Sequence, residues 1–129
     1  MRLILACLAA IFAPSLAAPL AAQERPPAML VLDGSNSMWG QIDGVAKIGI
    51  AQSAIGDMLE TLDPAQQLGL TAYGHRVEAD CGDIQTLVMP GADTRAAIAR
   101  TVNRISPRGR TPLSDAVQQA ARDLNYAQA

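Results

Sequence analysis

The hydrophobic positions of this chain change period as it proceeds. Met29-Leu30-Val31-Leu32 is a short unbroken apolar run that ends on Asp33, the pattern of a buried strand. From Lys47 to about Leu62 the period lengthens. Ile48, Ala51, Ile55, Leu59 and Leu62 recur at helical spacing, which predicts an amphipathic helix closed by Asp63-Pro64. Gly49 and Gly56 inside it each cost about 1 kcal/mol against alanine, so close packing on a sheet is expected there. Leu68, Leu70 and Ala72 then alternate within a second strand, Gln67 to Gly74. A third strand, Asp83 to Met89, is ended by Pro90-Gly91. Asp93 reads as the N-cap of a second helix, Thr94 to Ile105, with Ile98, Val102 and Ile105 on one face. The third helix starts with Thr111 as N-cap and Pro112 in the first helical position, and presents Leu113, Val117, Ala120 and Leu124.

The connections carry turn chemistry. Asp43-Gly44, within Trp39 to Lys47, predicts either a small hairpin or an irregular loop. Gly74 to Gly82 is a charged loop holding His75, Arg76, Glu78, Asp80 and Cys81, and Ser106 to Arg110 is a rigid one. Strands alternating with helices predict an α/β layered fold with a largely parallel sheet. That order calls for a further strand after the third helix, and none follows.

The N-terminal composition changes the domain picture. Arg2, an apolar run from Leu3 to Phe12, and small residues from Pro14 to Ala22 read as a signal peptide over 1–22, with cleavage before Gln23. The run is too short and too interrupted by proline for a spanning helix, although an uncleaved anchor is the alternative. Residues 23–27 form a lead-in containing Pro26-Pro27, and 28–129 form the domain. Export implies a periplasmic or extracellular location and no stable membrane span after cleavage. In that oxidising setting Cys7 leaves with the signal and Cys81 stands alone, an odd count that calls for a partner. The formal net charge of −2 does not suggest nucleic acid. Arg100, Arg104, Arg108 and Arg110 resemble an anion-binding patch, but a solvated helix face explains Arg100 and Arg104 better.

The candidate chemistry lies at the end of the first strand. Asp33, Ser35 and Ser37 place oxygen side chains at a strand C-terminus, the ligand side of α/β sheets. Carboxylate and hydroxyl oxygens without clustered Cys or His suit a hard cation. Ordinary turn chemistry explains these residues as well, and an N-cap explains Thr111.

Two separated motifs break that tie. Asp33-Gly34-Ser35-Asn36-Ser37 fits the Asp-x-Ser-x-Ser pattern of von Willebrand factor type A (VWA) domains, and Gly109-Arg110-Thr111-Pro112-Leu113 resembles their separate threonine element. Met38-Trp39-Gly40 and Tyr73-Gly74-His75-Arg76 read like exported bacterial members. The resemblance covers roughly residues 28 to 125. It implies a Rossmann-like VWA fold and a metal-ion-dependent adhesion site. Ser35 and Ser37 would bind the cation directly, Thr111 directly or through water, and Asp33 mostly through water. The ion would be Mg²⁺, or Mn²⁺ or Ca²⁺, and the partner a protein offering an exposed acidic residue. The family pattern adds an aspartate on a strand after the third helix, and further strands and helices. The chain therefore reads as an N-terminal portion, truncated after the third helix. Metal affinity is expected to fall accordingly, and the partner of Cys81 to lie in the missing part.

Three functions follow as expectations. The first is a non-enzymatic binding module for an acidic group, working through a divalent cation. The second is a scaffold or non-binding fragment. The third is a hydrolase using Ser35 or Ser37 with His75 as base, which lacks a Gly-x-Ser-x-Gly elbow. Asp33 as a phosphoryl acceptor would want a second aspartate where Ser35 stands. For His75 a local structural hydrogen bond is expected over ligation. Trp39 is either a contact residue beside the site or a cover for the core.

Overall fold

The computed structural model describes residues 25–126. The signal peptide over 1–22, the start at Gln23 and Cys7 lie outside the described residues. Strand β1 (Ala28–Asp33) is followed by a 3₁₀ turn (Asn36–Trp39) and a two-stranded ribbon, β2 (Gln41–Ile42) with β3 (Val45–Ala46). Helix α1 (Lys47–Thr61), strands β4 (Leu68–Tyr73) and β5 (Ile84–Gly91), and helices α2 (Arg95–Val102) and α3 (Leu113–Asp123) complete the described elements. The ribbon turns on Asp43 and Gly44, both at positive φ, as that dipeptide dictates.

The main sheet has the order β1-β4-β5. β1 and β4 run parallel, from Ala28 opposite Leu68 to Asp33 opposite Tyr73. α1 supplies the crossover that a parallel pair needs. β4 and β5 are joined by the helix-free loop 74–83 and run antiparallel, so the described sheet is mixed rather than largely parallel. β4 lies between the other two strands, and all six of its residues are buried. Leu68, Leu70 and Ala72 join Leu32, the α1 residues Ile48, Ile55 and Leu59, and the α2 residues Ile98 and Val102 in the core. The intervening Thr71 serves the other face. Its hydroxyl lies 3.4 Å from that of Thr86, which donates to Asp123 of α3, and Gln119 donates to the same carboxylate at 2.9 Å. A polar network thus fixes α3 to the sheet.

Several sequence expectations are corrected. β5 continues through Pro90-Gly91 instead of ending there. Proline is tolerated on an edge strand. Its close approach is possible because Gly69 stands opposite, where a Cβ would lie 2.8 Å from the Pro90 nitrogen and from the Met29 sulfur. Gly49 and Gly56 do not answer to close packing. A Cβ on Gly56 would meet nothing within 4 Å, and one on Gly49 only Val45 at 4.0 Å. The α2 N-cap is Thr94, not Asp93, which adopts φ 59°. The Thr94 hydroxyl donates to the Leu68 carbonyl at 2.6 Å instead of capping the helix, tying α2 to β4. α2 also stops at Val102, short of Ile105. Gln52 of α1 then donates to the Val102 and Ile105 carbonyls, at 3.1 and 3.2 Å. α3 starts at Leu113 with Pro112 at the N-cap, and it buries Ala116 and Ala120 while Leu113 and Val117 remain about half exposed.

Candidate metal centre

Because β1 and β4 are parallel and in register, Asp33 and Tyr73 end side by side, and their following loops emerge on one rim. The Asp33 carboxylate accepts the Ser35 amide at 2.7 Å, a local turn that reverses the chain. Ser35 is 1% exposed, and its Oγ lies 3.0 Å from the Oγ of exposed Ser37. The 3₁₀ turn brings Ser37 back over Ser35, with the Met38 amide donating to the Ser35 carbonyl at 3.0 Å.

Backbone hydrogen bonds hold three loops together at this rim. Ser35 bridges to Gly109, and the Asn36 amide donates to the Gly109 carbonyl at 3.0 Å. The Arg108 amide donates to Gly34 and Gly74 carbonyls at 3.0 and 3.1 Å, and the Gly109 amide to Gly74 at 2.7 Å. Such contact requires glycine. A Cβ on Gly34 would lie 2.7 Å from the His75 Cβ, and one on Gly74, which sits at φ 64°, would overlap the Arg110 carbonyl oxygen. The loop that carries Thr111 is therefore anchored to the loop that carries Ser35 and Ser37.

Thr111 is not the helix cap that its sequence context predicts. α3 has no side-chain cap, and Thr111 contributes its carbonyl, not its hydroxyl, to the Leu113 amide at 2.9 Å. The hydroxyl has no hydrogen-bond partner among the described residues and is free for another use.

Asp83, which the sequence reading did not single out, organises the third loop. Its fully buried carboxylate accepts the Arg76 and Val77 amides at 2.7 and 3.1 Å and the Arg76 Nε at 2.6 Å. Burial pushes this carboxyl upward, but those amides and the guanidinium outweigh it and hold it below the ordinary carboxylate range. Burial also keeps His75 below the usual imidazole value, with Asp83 pulling it back upward and Arg76 reinforcing the depression. A side-chain hydrogen bond with Gln85 also pulls it upward, while Nδ1 is buried without a partner among the described residues. Tyr73 is pushed up to about 12, first by burial and then by the charge of Asp33. Trp39 is 51% exposed and donates from Nε1 to the Pro107 carbonyl at 3.0 Å, so it stands on the rim and does not cover the core. Cys81 is exposed and has no disulfide partner among the described residues.

The donor set is oxygen only. Among the described residues no three His, Cys, Asp or Glu side chains converge. Neighbouring oxygens of a Mg²⁺ octahedron, with bonds of about 2.0–2.1 Å, lie about 2.9 Å apart. The serine pair matches that edge at 3.0 Å. Among the described residues no helix is long and apolar enough to cross a membrane.

A sequence profile described as von Willebrand factor type A domain matches residues 28–129. No curated protein matches the chain. Among solved structures, the chain is similar to three N-terminal domains of the type V pili tip protein Mfa5 from Porphyromonas gingivalis. That match has 20% identity and a TM-score of 0.56, and covers 78% of this chain and 17% of the other. It is also similar to the vWF domain of the same tip protein, with 18% identity and a TM-score of 0.54 over 77% of this chain and 32% of that one. At such identity the likeness shows the fold, and the chain spans a third or less of either structure's length.

Proposed function

The chain belongs to the von Willebrand factor type A family, and we propose that it is an exported, non-enzymatic protein-binding module. It recognises an acidic group on its partner through a divalent cation. Ser35 and Ser37 hold the ion directly, Thr111 directly or through water, and Asp33 through water. The observation that carries this reading is the Ser35–Ser37 oxygen pair at an octahedron-edge separation. The uncommitted Thr111 hydroxyl, on a loop zipped to theirs, supports it. The ion is Mg²⁺, with Mn²⁺ and Ca²⁺ as substitutes. It would supply a positive charge with open positions for a partner carboxylate, and no bond is broken. The protein's own part is to fix the hydroxyls through the Asp33–Ser35 turn and to leave Ser37 open to solvent. A hydrolase reading draws no support from the geometry, since Ser35 and Ser37 bond to each other and His75 bonds to neither.

Mg²⁺ is expected to raise the melting temperature of the chain, because a ligand that binds only the folded state stabilises it by mass action. Ser35→Ala with Ser37→Ala is expected to abolish that shift. An equal shift in the double variant would overturn the site. A scaffold role is the second reading, favoured by an apolar groove where Met29 and Val31 of β1 face Val117 and Leu124. Binding of an unrelated partner there would be indifferent to chelators.

A further inference from the structure

Beside the serine pair lies an open pocket of about 460 Å³, lined by Asn36, Glu78, Ala79, Arg108, Gly109 and Arg110. Two of its lining residues interleave with the proposed cation ligands along the chain. Asn36 separates Ser35 from Ser37, and Arg110 precedes Thr111. The pocket brings together Arg108 and Arg110, which in sequence look like part of a scattered basic set. The backbone at Arg108 and Gly109 is fixed, since their amides are bonded to Gly34 and Gly74 and the Gly109 carbonyl to Asn36. The guanidiniums of Arg108 and Arg110 are not committed. Among the described residues the ion pairs are Arg25–Asp63 and Arg76–Asp83, and neither Arg108 nor Arg110 donates a side-chain hydrogen bond. Two guanidiniums against the one carboxylate of Glu78 leave the pocket with a surplus positive charge, in a chain whose formal net charge is −2.

We propose that this pocket is a second subsite of the same binding surface, and that it takes a second carboxylate from an acidic peptide segment of the partner. The proposal rests on the cation-binding reading above. One partner carboxylate would complete the ion at Ser35 and Ser37, and a neighbouring one would enter the pocket that Arg108 and Arg110 line. A planar guanidinium offers paired N–H donors that match a carboxylate, which a lysine would not. Glu78 on the pocket wall matches a singly charged group better than a dianion. The partner is therefore a segment bearing closely spaced aspartates or glutamates, and an isolated acid would bind more weakly.

The test uses labelled synthetic peptides and the full chain in saturating Mg²⁺. One peptide carries a single glutamate; others carry two, separated by one, two or three glycines. Anisotropy of the label reads binding. At least one di-acidic peptide is expected to bind about tenfold or more tightly than the mono-acidic one, a charge-assisted pair's worth of affinity. That advantage is expected to shrink as salt rises. Arg108→Gln with Arg110→Gln should erase that advantage, while binding of the mono-acidic peptide still requires Mg²⁺. Both residues are exposed, so the melting temperature serves as a control for folding. If the mono- and di-acidic peptides bind alike and still need Mg²⁺, or if the double variant keeps the advantage, the subsite is wrong and the cation reading stands. If no peptide responds to Mg²⁺, both readings fall together.

Discussion

At the scale of single residues, the site rests on positions where one atom more or less changes the geometry. Gly74 is the clearest. Its φ of 64° and the Arg110 carbonyl beside it leave no room for a methyl group. Gly74→Ala is expected to cost about 1–3 kcal/mol from backbone strain alone, read from denaturant unfolding, and to weaken cation binding by displacing the Thr111 loop. Asp83 sets a pH dependence. Its carboxyl is held below its unfolded value, so it adds stability above the unfolded pKa and loses that contribution as pH falls through the lower folded pKa. Asp83→Asn is expected to flatten the acid limb of stability against pH. Its cost is about 2–3 kcal/mol, carried mainly by the two amide bonds, because Arg76 is 47% exposed and its share is screened. An unchanged acid limb would contradict that assignment. Tyr73 acts at the other extreme. Its folded pKa of about 12 makes the neutral phenol's contribution complete below about 10 and lost as pH rises through 12.

The same residues show what a sequence can reveal. Asp33, Ser35, Ser37 and Thr111 stand out in the sequence because the first three share one turn and a family pattern ties the fourth to them, and the structure brings their loops together. Asp83 does not stand out, because its role depends on a loop folding back to Arg76 and Val77, which no local spacing encodes. Trp39 was only half legible. Its exposure and its bond to Pro107 come from the meeting of two loops far apart in sequence.

At the scale of elements, what counts is how loops are delivered. α3 brings Thr111 to the rim, and its hold on the sheet runs through Asp123, Thr86 and Thr71. The helices were legible from apolar spacing, but their ends were not. The Thr94 hydroxyl turned to β4 and Pro112 took the cap position, both tertiary choices that override local capping preference. The apolar spacing of α3 points to Leu113 and Val117, but the sheet accepts Ala116 and Ala120 and leaves those two about half exposed. The antiparallel β5 followed from a connection without a helix, which the alternation of strands and helices hides. Trp39→Phe removes one hydrogen bond between the serine loop and the Pro107 loop. It is expected to lower stability by about 0.5–1.5 kcal/mol while weakening Mg²⁺ binding measurably in calorimetry. Affinity equal to that of the parent would show that this tie does not position the site.

At the scale of the whole molecule, a single buried strand unites the structure. β4 is covered by helices on both faces and flanked by a strand on each side, and Leu70 in it is fully buried. Leu70→Ala is expected to cost about 2–5 kcal/mol, measured by chemical unfolding. The fold and the proposed ligand residues are thus legible from strand pattern and motif together. The Arg108–Arg110 pocket is not, since it exists only once three loops are zipped at one rim. Everything proposed about partners depends on whether that rim holds a cation. Titration of the chain with Mn²⁺, followed by the electron paramagnetic resonance of the free ion, decides this directly. One saturable site is expected, lost in Ser35→Ala and in Ser37→Ala and weakened in Thr111→Val, with the melting temperature of each metal-free variant close to that of the parent. Saturable binding that survives both serine substitutions, or none in the parent chain, would contradict the account.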